Sequence, residues 1–112
     1  MAGCMEGFKR ANLALHGDLE GPMTKLKSGR LSVSIIDGQV VAWVVGAEDV
    51  ILSKDNVKAV TLSQSGVSVV DLTSGGGKTN IVNVYTIEMT NGDMGILRLK
   101  VESATKVLML LQ

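Results

Sequence analysis

The sequence predicts a mainly β domain of about seven short antiparallel strands followed by a short C-terminal α-helix. Three observations carry this. From Arg30 onward, β-branched apolar runs alternate at a regular pace with polar or glycine-containing turns, the mark of a sandwich or barrel. Asp37-Gly38 and Asn91-Gly92 each lie between two such runs, where glycine supplies the positive φ that a tight hairpin demands. After Glu102 the two-residue rhythm gives way to a helical one.

Residues 1–29 read as an N-terminal arm, rich in breakers at Gly3, Gly7, Gly17, Gly21, Pro22 and Gly29. Two conformations stay open for it. Phe8, Ala11 and Leu15 fit one face of a short helix stopped by Gly17, and Leu13 with Leu15 fits an extra strand. The β domain then covers residues 30–112. Leu31, Val33 and Ile35 alternate with Ser32 and Ser34 as in a half-buried strand, and Asp37-Gly38-Gln39 turns it. Val40 to Val45 is the return strand, apolar on both faces, with Trp43 expected over one end of the core.

Asp49 to Ser53 is a short strand, and Lys54 to Asn56 forms a polar corner into a fourth strand at Val57 to Ser63. Gln64 to Gly66 is expected to turn the chain again into a fifth strand, Val67 to Leu72. A glycine run leads to Ile81–Thr90, and Asn91 to Asp93 turns it into Gly95–Val101, with Leu97, Leu99 and Val101 facing inward. In the helix, Ala104, Val107, Leu108 and Leu111 form one apolar stripe, with Ser103 or Glu102 as cap. Met89, Met94 and Met109 are expected to fill gaps in a core poor in aromatics.

Composition narrows the function classes. A chain of 112 residues fits one domain, able to bury roughly 65% of the surface its unfolded form exposes. Eleven basic residues balance eleven acidic ones, and aromatics make up 3%. Neither a field that draws in a polyanion nor a stacking platform for single strands is present, so no nucleic-acid partner is expected. Cys4 is the only cysteine, and the longest apolar run, Val40 to Val45, is far too short to span a bilayer. A cytoplasmic protein without a transmembrane segment is expected.

The stretch Asp71-Leu-Thr-Ser-Gly-Gly-Gly-Lys-Thr-Asn80 resembles half of a phosphate cradle through Gly77, Lys78 and Thr79. Leu72 stands where the first glycine of that cradle belongs, and the β-branched residues that follow offer no helix N-terminus. It reads as a strand-to-strand loop. His16 is the only imidazole, no nucleophile turn of the G-x-S-x-G kind occurs, and Glu48, Asp49 and Asp55 read as solvated turn acids. No catalytic residue, metal site or cofactor is expected, and the chain is read as a non-enzyme.

The order of elements, carried by Ser34–Val45, Val50–Ser63 and Tyr85–Leu111, resembles the pleckstrin-homology-like (PH-like) barrel, particularly its small bacterial versions. That resemblance implies two nearly orthogonal sheets forming a partly open barrel with the terminal helix plugging one end. It further implies a non-enzymatic scaffold that binds protein partners or itself through exposed strand edges. Phosphoinositide-binding members carry lysines and arginines around the first hairpin, where Asp37-Gly38-Gln39 stands here, so membrane-surface binding is disfavoured. The alternative reading is an anionic lipid or phosphate site built from Lys54, Lys58 and Lys78.

Overall fold

The computed structural model describes residues 13–21, 30–71 and 78–112. Phe8 and Ala11 of the helix alternative, the thiol of Cys4 and the glycine run Gly75 to Gly77 lie outside these residues, and Leu13 and Leu15, which lie within them, belong to neither a helix nor a strand. Among the described residues, seven strands form one antiparallel sheet: β1 (Gly17–Glu20), β2 (Arg30–Ile36), β3 (Gln39–Trp43), β4 (Val50–Leu52), β5 (Val57–Asp71), β6 (Lys78–Met89) and β7 (Met94–Lys100). The helix α1 (Val101–Leu111) follows β7 without a loop.

The strand order is β4-β3-β2-β1-β7-β6-β5, so two meanders meet at β1, which pairs with β2 on one side and β7 on the other. Where the resemblance implies two sheets, the strands are joined through β1 into one continuous sheet. That sheet is rolled. Laid flat, seven strands would separate its edges by about 29 Å, yet β4 and β5 are the two edges and are joined only through Ser53–Asn56. So short a link reaches at most about 18 Å. The edges therefore approach at this corner without pairing. Asn56 builds the corner: its side chain accepts from the Ser53 amide at 2.9 Å and donates to the Ile51 carbonyl at 2.6 Å. α1 touches β3 from one meander and β5, β6 and β7 from the other, filling the inside of the roll.

Alternation selects the inner face. Leu31 and Val33 of β2, Val40 and Ala42 of β3, and Leu97 and Leu99 of β7 are buried there, with Ala104, Val107 and Leu111 of α1 packed on them. Each such large side chain contributes about 1.5–3 kcal/mol by leaving water. At Asp37-Gly38 both turn residues have positive φ, 52° and 77°, which matches the twist of the flanking strands. At the second hairpin Gly92 alone is left-handed, with φ 96°, and the Gly92 amide donates to the Met89 carbonyl at 3.0 Å. This is the three-residue form of hairpin loop.

Several expectations are corrected. Gln64 to Gly66 does not reverse the chain: β5 runs unbroken from Val57 to Asp71 along one partner, β6, with register shifts between Leu62 and Val67. Gly66, at φ 68°, absorbs the extra residues as a bulge, and its amide donates to Asn83 Oδ1 at 3.1 Å. The count of seven strands survives because a strand lies within the arm, at Gly17–Glu20. Neither Ser103 nor Glu102 caps the helix, since Lys100 is the N-cap and both lie inside the first turn. Val101 is half exposed because the helix begins there and ends the strand alternation. Met89 is buried as expected, but Met94 and Met109 are 42% and 70% exposed, lying on the outer faces of β7 and α1. Trp43 is buried outside the main core cluster, on the other face of β3, where its Nε1 donates to Ser34 Oγ.

Candidate functional site

An antiparallel sheet satisfies its backbone only where each strand has neighbours on both sides. Among the described residues, β4 and β5 each have one neighbouring strand. β4 is 3 residues long, whereas β5 is 15. The long row of amides and carbonyls on the outer side of β5 is the largest open strand edge of the described chain.

The edge has two parts that differ physically. Near its start the Gln112 side-chain amide, at the end of α1, reaches the Val60 carbonyl at 3.4 Å. Irregular register from Val57 to Val67 also twists this part away from flat pairing. From Val67 to Asp71 the register with β6 is regular, through Val67↔Val82, Ser68↔Ile81, Val69↔Asn80, Val70↔Thr79 and Asp71↔Lys78.

β7 pairs with β6 only from Val82 to Glu88. Lys78 to Ile81 therefore extend beyond β7 and have a strand neighbour only in β5. The result is a two-stranded ribbon, Ser68–Asp71 with Lys78–Ile81, that overhangs the body of the sheet by roughly 13 Å. Both of its edges lack a neighbouring strand among the described residues. Ile81 is 42% exposed on it, and Ser68 and Thr79 are exposed.

The three lysines of the anion-binding alternative are dispersed. Lys54 lies exposed in the β4–β5 corner, and Lys58, near the start of β5, has its ammonium 3.5 Å from Glu88. Lys78 opens β6 at the far end of the β5–β6 hairpin. Lys78 and Thr79 thus begin an antiparallel strand, where a phosphate cradle would require a helix N-terminus. Glu48, Asp49 and Asp55 are exposed. No group of three His, Cys, Asp or Glu side chains fit to hold a metal occurs among the described residues, and no described helix is long and apolar enough to cross a membrane.

His16 has a place that no local pattern announces. Its amide donates to the Val33 carbonyl at 2.8 Å and its carbonyl accepts from Lys100 at 2.9 Å, extending β1 toward both neighbours. Its Nδ1 shares a 2.7 Å hydrogen bond with Ser103 Oγ in the first turn of α1. Burial, then the Lys106 and Lys100 ammoniums, hold the imidazole below its ordinary 6.5. A histidine and a serine in contact resemble a nucleophile pair, but Ser103 is only 7% exposed and the groups around the imidazole are cationic. The bond is a tie between strand and helix.

On the outer face, Arg98 bonds Asp18 at 2.9 Å and Glu20 at 2.8 Å, joining β7 to β1. The Arg98 guanidinium holds the Glu20 carboxyl below its usual range. Sequence reasoning missed both the His16–Ser103 tie and this cluster, because each joins residues close in space and some eighty positions apart in the chain. Comparison of the chain with protein-family models, curated proteins and solved structures finds no match.

Proposed function

We propose that the chain is a non-catalytic interaction module that captures extended strands, from protein partners or from further copies of itself, along the open edge of β5. One observation carries the reading: among the described residues, a strand of 15 residues has a neighbouring strand on one side only. An added strand would recover backbone hydrogen bonds there, which is the physical basis of strand-addition recognition. The regular stretch Val67–Asp71 suits it best, because its spacing is undisturbed and Asp71 is its only charged residue.

A PH-like architecture accords with this reading. Two meanders meeting at β1, and a terminal helix that contacts both of them inside a rolled sheet, are the features that support it. The single cysteine favours a reducing, cytoplasmic setting. No observation favours the anion-binding alternative, since Lys58 already faces Glu88 and Lys78 stands at the opposite end of the hairpin.

The test uses a synthetic peptide of residues 78–85, the first part of β6, as a model extended strand. Its binding should slow hydrogen exchange of the Val67–Asp71 amides, and Ser68→Lys should weaken it by placing a cation on the edge. Unchanged exchange at saturating peptide, together with a protein that stays monomeric at high concentration, would overturn the proposal.

A further inference from the structure

Two buried side chains stand apart from the core. Val41 and Trp43 are 5% and 8% exposed, yet both lie outside the core cluster, on the outer face of β3. Their neighbours in the sheet do not account for this: Val41 lies between Ser34 and the exposed Ile51, and Trp43 is opposite Ser32. Val82, the third buried apolar residue outside the cluster, differs in having half-buried Val67 and Lys100 on both flanks. All seven described strands belong to the sheet itself and α1 packs on its inner face, so no described element lies over Val41 and Trp43. A side chain on a bare sheet face stands in water. A further segment of chain therefore covers this pair.

We infer that residues 1–12 are that segment, laid across the outer face of β2 and β3 as a strap. The place where the described chain begins supports this occupant. Ser34 is fully buried; its Oγ accepts from Trp43 Nε1 at 3.1 Å and donates to the Ala14 carbonyl at 3.2 Å. This relay brings the stretch just before β1 onto the outer face beside the indole, two residues after position 12. Reach is ample, since twelve extended residues span about 40 Å and β3 lies two strand spacings, about 10 Å, from β1. Met5, Phe8 and Ala11 supply apolar side chains for the contact.

Residues 22–29 are worse placed to cover the pair. Gly21, just after β1, lies against Gly95 of β7, on the side of β1 away from β3. Arg30 enters β2 four residues before Ser34, about 13 Å along the strand. The indole leans the other way, past its opposite residue Ser32 to Ser34.

The sequence carries a natural reporter in each partner, for Cys4 is the only cysteine and Trp43 the only tryptophan. A nitroxide on Cys4 of the full chain should broaden the backbone amide resonances of Ser32–Ser34 and Val41–Trp43 severalfold more than those of α1 and of the start of β5. Broadening centred on any other face overturns the inference. Mixing nitroxide-bearing chains with isotope-labelled chains that lack it should abolish the broadening; its persistence would mean that a second copy supplies the cover, and overturns the inference as well. Deleting residues 1–12 should uncover the indole, shifting its emission to longer wavelength and raising its quenching by acrylamide severalfold. A truncated chain with native circular dichroism and unchanged emission overturns the inference and assigns the cover to residues 22–29. If the truncated chain fails to fold, the nitroxide measurement on the full chain decides.

Discussion

Replacing Gly17 with alanine should destabilise the protein severely, because the β1–β7 junction leaves no room for a side chain. A Cβ built there runs into the Arg98 carbonyl and comes within 2.9 Å of Leu99 Cα, both rigid backbone in the neighbouring strand. No rotamer relieves this, so β1 must move away from β7 or tilt. Such overpacking costs about 1–3 kcal/mol. Retreat also weakens the flanking backbone bond between the Lys100 amide and the His16 carbonyl, 2.9 Å long, a loss of about 1 kcal/mol per bond. The sum is about 2–4 kcal/mol, a large part of the 5–15 kcal/mol typical of a domain. For a chain of this size it corresponds to a fall in Tm of roughly 8–17 °C. Calorimetry with urea denaturation measures it. Gly38→Ala is the control, for Gly38 has φ 77° but open space around it, and only the left-handed penalty of about 1–2 kcal/mol applies. If Gly17→Ala loses less than Gly38→Ala, the close approach of β1 to β7 and the tight roll built on it are refuted.

Two further outcomes test the rest of the frame. The folded state holds the His16 imidazole below its ordinary 6.5, so the unfolded chain binds the proton more readily. Stability is therefore complete above pH 6.5 and falls as the pH drops through that value toward the folded pKa. Urea titrations between pH 7.5 and 5 should show the decline, and His16→Gln should flatten it; an unchanged slope in the variant would assign the effect elsewhere. Asn56→Ala removes the side-chain bonds to the Ser53 amide and the Ile51 carbonyl, and should cost about 1–2 kcal/mol by chemical denaturation. A neutral result would show that the Ser53–Asn56 corner does not depend on that side chain.

Much of the β content could be read residue by residue. The turn at Asp37-Gly38, the strands around it, the β6–β7 hairpin and the terminal helix all follow from interactions within a few positions along the chain. Gly66 marks the limit of that kind of reading. Glycine at positive φ serves a turn and a bulge equally well, and only the length of the facing strand β6 decides between them. The same limit hid β1: Gly17–Glu20 is too short to show a rhythm, and it is a strand because β2 and β7 bracket it.

The amino-acid order by itself therefore determined a β domain with a terminal helix, its two glycine hairpins and a stretch almost free of charge, since propensity, turn chemistry and composition act locally. The tertiary structure alone decided that the meanders join through β1, that His16 meets Ser103, and that β6 outruns β7, so that among the described residues Lys78–Ile81 have a strand neighbour only in β5. Each of these depends on where distant segments end relative to one another, and a backbone ladder is set by such alignment across space.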